Sequence, residues 1–190
     1  HRWMRCSGAP TLEATLPDKG SVYAAEGTAA HDLAERCMAS GDDAVSHQGM
    51  PIYVENDDGT TSTFTVDQEM VGAVQLYLDH CRGIGGELVG IELRVDYSQF
   101  VPDGFGTSDA VYVNGTTLYV RDLKYGAGVK VFAEQNEQGM GYALGALLEF
   151  EALYEIDSID IGIVQPRMDH VDTWQISRDD LMSWATDELA

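Results

Sequence analysis

Apolar and polar positions follow a helical period in the first part of the chain and an alternating one after it. Ala29, Ala30, Leu33, Ala34, Cys37 and Met38 recur at helical spacing, with Gly41 as a stop. They predict a helix over residues 21–40, best defined from Thr28 to Ala39. Met70, Val74, Tyr77, Leu78 and Cys81 form one stripe over residues 67–82. Asp67 can cap that second helix, and Gly83, Gly85 and Gly86 end it. Period two then takes over, and Leu88–Tyr97, Gly106–Val113 and Thr117–Leu123 read as strands. Asn114-Gly115 between the last two is a hairpin signal, and its pair is taken as the turn. Lys130–Ala133 reads as a short strand extension, Glu134–Phe150 as a helix with Met140, Leu144, Leu147 and Leu148 inward, Ser158–Val164 as a strand stopped near Pro166, and Arg178–Leu189 as a closing helix.

The remainder is less patterned. Residues 1–20 read as a short helix or loop with Trp3 as a packing residue. Residues 41–66 read as surface loops with one short strand at Pro51–Glu55. Asp42-Asp43 and Asp57-Asp58 lack calcium-loop spacing and read as solvated turns. His80 reads as a surface or helix-end histidine. The element order predicts one α/β domain over 1–190, a mixed central sheet flanked by helices. No repeat, linker or low-complexity segment interrupts it.

Composition narrows the classes. The chain has 190 residues, 44% of them hydrophobic, enough for one real core. No apolar run approaches the ~20 residues needed to span a bilayer. Cys6, Cys37 and Cys81 form no Cys-x-x-Cys pair, which argues against a zinc ribbon or iron–sulfur cluster and for reduced thiols in a cytoplasmic protein. No signal peptide is visible, and the start at His1 leaves a trimmed leader open. A formal charge of −21 speaks against a protein that coats DNA by broad phosphate neutralisation. It allows an enzyme that touches DNA in a small channel where metal ions supply positive charge. Arg121, Lys124 and Lys130 cluster, and no further basic residue follows until Arg167.

The candidate chemistry lies around the hairpin. Asp109 stands five residues before Asn114 and Asp122 seven after Gly115, which predicts an offset of about two positions on neighbouring strands. Two carboxylates so placed can share a metal, and oxygen donors suit Mg²⁺ or Mn²⁺. Lys124, two residues past Asp122, points to the same face, where it can orient or help deprotonate a water and offset charge on a phosphate. The plain alternative is three exposed strand-end charges. Pro102-Asp103-Gly104 is a turn signature, so Asp103 is set aside as a ligand. His31 and Glu35 are four apart and share a helix face, and Gly27 permits close approach.

Taken together, Gly27-x-x-x-His31, Gly106-x-x-Asp109, Asp122-Leu123-Lys124 and Gln138-x-x-x-Tyr142 resemble the motifs of the RecB-like branch of the PD-(D/E)xK nuclease superfamily, near phage exonucleases of the lambda-exonuclease and RecE type. The resemblance spans roughly residues 20–165. It implies a restriction-endonuclease-like core of helix, three strands, helix and strand. It also implies a metal-dependent DNA exonuclease for recombination or end processing. By position, His31, Asp109, Asp122 and the Leu123 carbonyl would hold the metal, with Glu92 as a further acid for a second ion or simply an exposed strand residue. Asp109, Asp122 and Lys124 would be catalytic. Gln138 and Tyr142 would line the site and contact DNA, with Lys130 near the opening. Glu26 and Glu35 are either partners that orient His31 or ordinary helix acids. Ser108 replaces the motif's Pro, and Asp122 the commoner Glu. Implied partners are linear duplex ends or single strands and a single-strand annealing recombination protein, and a ring-shaped homo-oligomer is compatible. The acidic surface would then repel duplex DNA except at a narrow opening near Lys124 and Lys130. A catalytically idle module that binds DNA ends or a recombination partner on the same fold is the alternative, and an acidic interaction protein with no nucleic-acid role a third.

Overall fold

The computed structural model describes residues 22–189, so the readings for residues 1–20, Trp3 and Cys6 lie outside the described residues. Helix α1 is Val22–Ser40. A short 3₁₀ turn, Ala44–His47, leads to strands β1, Pro51–Glu55, and β2, Thr61–Thr65. Helix α2 is Gln68–Arg82, and the Asp67 carboxylate accepts from the Met70 amide at 2.8 Å as its N-cap. Then come β3 Glu87–Asp96, β4 Phe105–Asn114, β5 Thr117–Leu123, α3 Glu137–Phe150, β6 Ser158–Gln165, β7 His170–Ser177 and α4 Arg178–Trp184. A π-helical turn, Ala185–Leu189, follows α4 where a continuous helix is expected.

The five-stranded sheet runs in the order β3-β4-β5-β6-β7. All neighbours are antiparallel except β5 and β6, which are parallel because α3 crosses over between them. Each face buries its own core. Helices α1 and α2 and the β1–β2 hairpin pack Leu33, Val74, Tyr77 and Leu78 against Ala110, Tyr112, Leu123 and Val164. On the other face, Leu144 and Leu147 of α3 and Leu181 of α4 meet Val111, Val120, Ile161 and Ile163. No helix among the described residues is long and apolar enough to cross a membrane.

Several boundaries differ from expectation for local reasons. Residues 41–66 carry a two-stranded hairpin rather than one lone strand. Lys130–Ala133 forms no strand: the Gln165 side chain takes the Val131 amide at 2.7 Å, and Asp172 takes the Ala133 amide at 2.7 Å. Helix α3 starts three residues later than predicted, because Asn136 caps it through the Gly139 amide and Gln135 sits at φ +52°. Strand β7 is absent from the sequence reading, since two of its half-buried positions, His170 and Asp172, are polar and break the apolar alternation.

The hairpin turn matters most. Asn114 pairs with Thr117, so the two turn residues are Gly115 and Thr116. Gly115 has φ +60°, the first position of a two-residue turn that favours glycine. Moving the turn by one residue removes the predicted offset. Ala110 pairs with Arg121, which puts Asp109 level with Asp122 one step further on.

Candidate metal and catalytic centre

The β4–β5 ladder stops at Ala110–Arg121, yet both strands continue. Strand β4 stays paired with β3 as far as Phe105, and β5 stays paired with β6 as far as Leu123. The sheet therefore splits at Asp109 and Asp122, and the candidate side chains collect in the split. The Leu123 amide, left without its ladder carbonyl, donates to Asp109 Oδ2 at 2.6 Å. Leu123 thus enters the site through a hydrogen bond that aims Asp109.

Helix α1 brings His31 to the same place. His31 Nδ1 lies 3.3 Å from Asp109 Oδ1 and 3.5 Å from Glu92 Oε1. One ligand atom from each of these three residues lies within 4.8 Å of the other two, a spacing able to hold a metal ion. Burial works to lower the His31 pKa, but hydrogen bonds and charge from Asp109 and Glu92 overcome it and raise it to about 10. The pair of carboxylates calls for a cation, and the imidazolium meets that demand in this structure. Glu92 belongs to this single cluster. It falls between the pairs Ile91–Ala110 and Leu93–Ser108, level with Asp109, and its φ is +44°. A non-glycine residue in that region costs about 1–2 kcal/mol.

Asp122 stands outside this cluster, among the described residues, and faces Lys124. Lys124 Nζ lies 2.9 Å from both Asp122 oxygens, in hydrogen-bonding geometry only with Oδ1. Burial pushes the Asp122 carboxyl up to about 6, with the Lys124 ammonium pulling against it and the Asp109 charge adding to it. Burial disfavours the Lys124 ammonium, but Asp122 and Asp109 hold its pKa above the ordinary lysine value. Lys124 Nζ also donates to Gln138 Oε1 at 3.1 Å, and Gln138 Nε2 donates to the Tyr142 hydroxyl at 2.6 Å. The Gln-x-x-x-Tyr turn of α3 thereby orients the lysine. Tyr142 in turn packs directly on Gly106, where any Cβ would collide with its ring. This is why the Gly106-x-x-Asp109 motif needs glycine.

Other expected residues lie elsewhere. Glu26 pairs with Arg167 at 3.0 Å instead of orienting His31. Glu35 is exposed on α1 next to Arg36, because His31 turns toward the sheet. Lys130 is exposed on the loop after β5 and contacts none of these groups. Arg121 is buried structure: it pairs with Asp160 at 2.7 Å under α2. His80, in the last turn of α2, is half-buried beside that pair, and its pKa is lowered by burial and by the Arg121 charge. Asp103 sits in the predicted turn at φ +59°. Nothing in the pattern signals the Glu92 strain, since a positive φ at a glutamate has no sequence mark.

Fold and site define a mixed α/β protein in which three side chains stand at a spacing compatible with a metal ion, beside a buried Asp122 and a half-buried Lys124. The chain belongs to the DUF2800 family, described as a protein of unknown function, whose family model matches residues 1–190.

Proposed function

We propose that the chain is a metal-dependent deoxyribonuclease on a restriction-endonuclease-like core, working as an exonuclease on DNA ends. The observation that carries this reading is the grouping of His31, Glu92 and Asp109 next to Asp122 and Lys124 at the split in the sheet. One imidazole nitrogen with carboxylate oxygens is a donor set that fits Mn²⁺ or Mg²⁺. A metal bound there supplies positive charge to the scissile phosphate. The protein's own groups do the rest. Asp122, with its pKa near 6, is the group placed to accept a proton from the attacking water. Lys124 remains an ammonium and offsets charge that builds on the phosphate. Gln138 and Tyr142 hold that ammonium in place.

A second reading is a catalytically idle module that binds DNA ends or a recombination partner. The charge of −21, which opposes a broad DNA contact, favours the partner-binding form of it. End-labelled linear DNA with Mg²⁺, Mn²⁺ or EDTA separates the two. The nuclease reading expects metal-dependent release of label by the wild type and none by a Lys124→Ala, Asp122→Asn double variant. Cleavage by the double variant overturns it. DNA binding without cleavage under any metal moves the assignment to the idle module.

A further inference from the structure

The cations of this acidic chain are almost all neutralised locally. Arg36, Arg82, Arg121, Lys124, Arg167 and Arg178 each stand in an ion pair with a carboxylate. Among the described residues, that leaves Arg94 and Lys130. Lys130 sits on an exposed loop. Arg94 sits on β3, exposed, with its guanidinium carbon 4.1 Å from the centroid of the Phe105 ring. Phe105 is itself 54% exposed. Asp96, two residues on, feels the Arg94 charge without forming an ion pair with it, and accepts the Ser98 amide at 2.7 Å.

The β3–β4 register places this pair beside the candidate centre. Arg94 is two residues past Glu92 and pairs with Thr107, two residues before Asp109. That is one step of the ladder, about 7 Å, from the Glu92–Asp109 level. Phe105 points to the sheet face opposite Tyr142, since its neighbour Gly106 faces α3. An aromatic face and a guanidinium with no ion pair among the described residues, adjacent and open to solvent, are the two elements that hold a single nucleic-acid strand: the ring stacks a base and the cation meets a phosphate. A duplex keeps its base faces stacked on one another and needs a broad basic surface, which this chain lacks.

We propose that Arg94 and Phe105 form a strand-holding subsite that admits a single-stranded nucleic-acid end to the centre. This rests on the nuclease reading for its purpose, though not for its binding chemistry. The test is fluorescence anisotropy of a labelled oligothymidylate in EDTA, with wild type, Arg94→Ala, Phe105→Ala and Phe105→Trp. Both side chains are exposed, and unchanged melting temperatures check that the variants fold. Each alanine variant is expected to bind on the order of 10-fold more weakly, with Phe105→Trp close to wild type. Arg94→Ala is expected to reduce the slope of log affinity against log salt by about 0.7, the contribution of one phosphate.

Unchanged binding in both alanine variants, no binding by the wild type, or equal affinity for duplex overturns the subsite. Steady-state cleavage separates this from the nuclease reading. If the wild type cleaves with metal and the alanine variants keep its KM, the subsite fails and the nuclease reading stands. If nothing is cleaved but the binding losses appear, the subsite stands and the nuclease reading fails.

Discussion

Asp109 Oδ2 accepts the Leu123 amide at 2.6 Å, so a side chain of β4 completes the hydrogen bonding of β5 where the two strands separate. One carboxylate oxygen is thereby structural, and the other, 3.3 Å from His31, is left for chemistry.

The two halves of that carboxylate respond differently to substitution. Asp109→Asn keeps an oxygen for the Leu123 amide and removes the charge. It is expected to hold its fold and lose Mn²⁺ binding in a calorimetric titration. Asp109→Ala also strands a buried amide, at a cost of about 1–3 kcal/mol. Its melting temperature is expected to fall by roughly 2–4 °C for each kcal/mol. Equal Mn²⁺ affinity in wild type and Asp109→Asn would remove Asp109 from the metal site.

The cluster also sets a pH dependence. His31 is held protonated up to about 10 against an ordinary 6.5. Its folded pKa is raised, so its stabilisation is complete below pH 6.5 and is lost as pH climbs through 10. Asp122, raised from 3.8 to about 6, acts in the same direction at lower pH: its contribution is complete below 3.8 and gone above 6. The metal-free protein is expected to melt at lower temperature as pH rises. Mn²⁺ has to displace the His31 proton, so the rise in melting temperature that it produces is expected to grow with pH. Melting curves at about pH 5, 7 and 9, with and without Mn²⁺, check both signs. A metal-induced rise that is independent of pH would exclude His31 as a ligand.

Lys124 is the main force opposing the raised pKa of Asp122. Lys124→Ala is expected to lower kcat by about 100-fold or more, as a lost charge stabiliser does. It is also expected to move the acidic limb of the pH–rate profile above 6, because Asp122 loses its neighbouring ammonium. A slower enzyme with an unmoved acidic limb would show that the limb belongs to another group.

Gly106→Ala tests the support beneath the lysine. The new methyl collides with the Tyr142 ring, and α3 is packed too tightly against the sheet to retreat. Tyr142 has to move, which loosens Gln138 and then Lys124. A fall in kcat of roughly 10-fold is expected, the order of loss for a group displaced by a fraction of an ångström. Gly106→Ala with Tyr142→Ala is expected to be no worse than Tyr142→Ala alone, since the collision partner is gone. Additive losses would place the two residues in separate roles.

The helices and central strands are legible in the sequence because both faces of the sheet are buried and the period of the apolar residues is unambiguous there. The register between Asp109 and Asp122 is not, because it depends on which residue takes the positive φ, and Asn114-Gly115 and Gly115-Thr116 are both plausible turns until Asn114 is seen paired with Thr117. His31 meets Asp109, while Asp122, expected beside them on a shared metal, pairs instead with Lys124, which Gln138 and Tyr142 support. Glu26 and Glu35 take the ordinary-acid alternative, for opposite reasons. Glu26 finds Arg167, a partner 141 residues away that no local spacing reveals. Glu35 shares a face with His31 on paper, but only His31 reaches inward. Strand β7 is hidden because Asp172 serves the loop ahead of α3 instead of the core.

Glu92 offers a way to find the site without any substrate. Its backbone is strained, and once His31 loses its proton near pH 10 its carboxylate faces Asp109 with no cation between them, so at high pH the position is a burden on the metal-free fold. Glu92→Gly relieves both, and is expected to raise the melting temperature in EDTA above pH 10, where the ion pair with His31 is gone, while weakening Mn²⁺ binding. In an unbiased scan of every position for thermal resistance, most residues would show up by what their loss breaks. This one would show up as a place where the protein tolerates an inferior residue, and such a place marks what selection has been protecting other than stability.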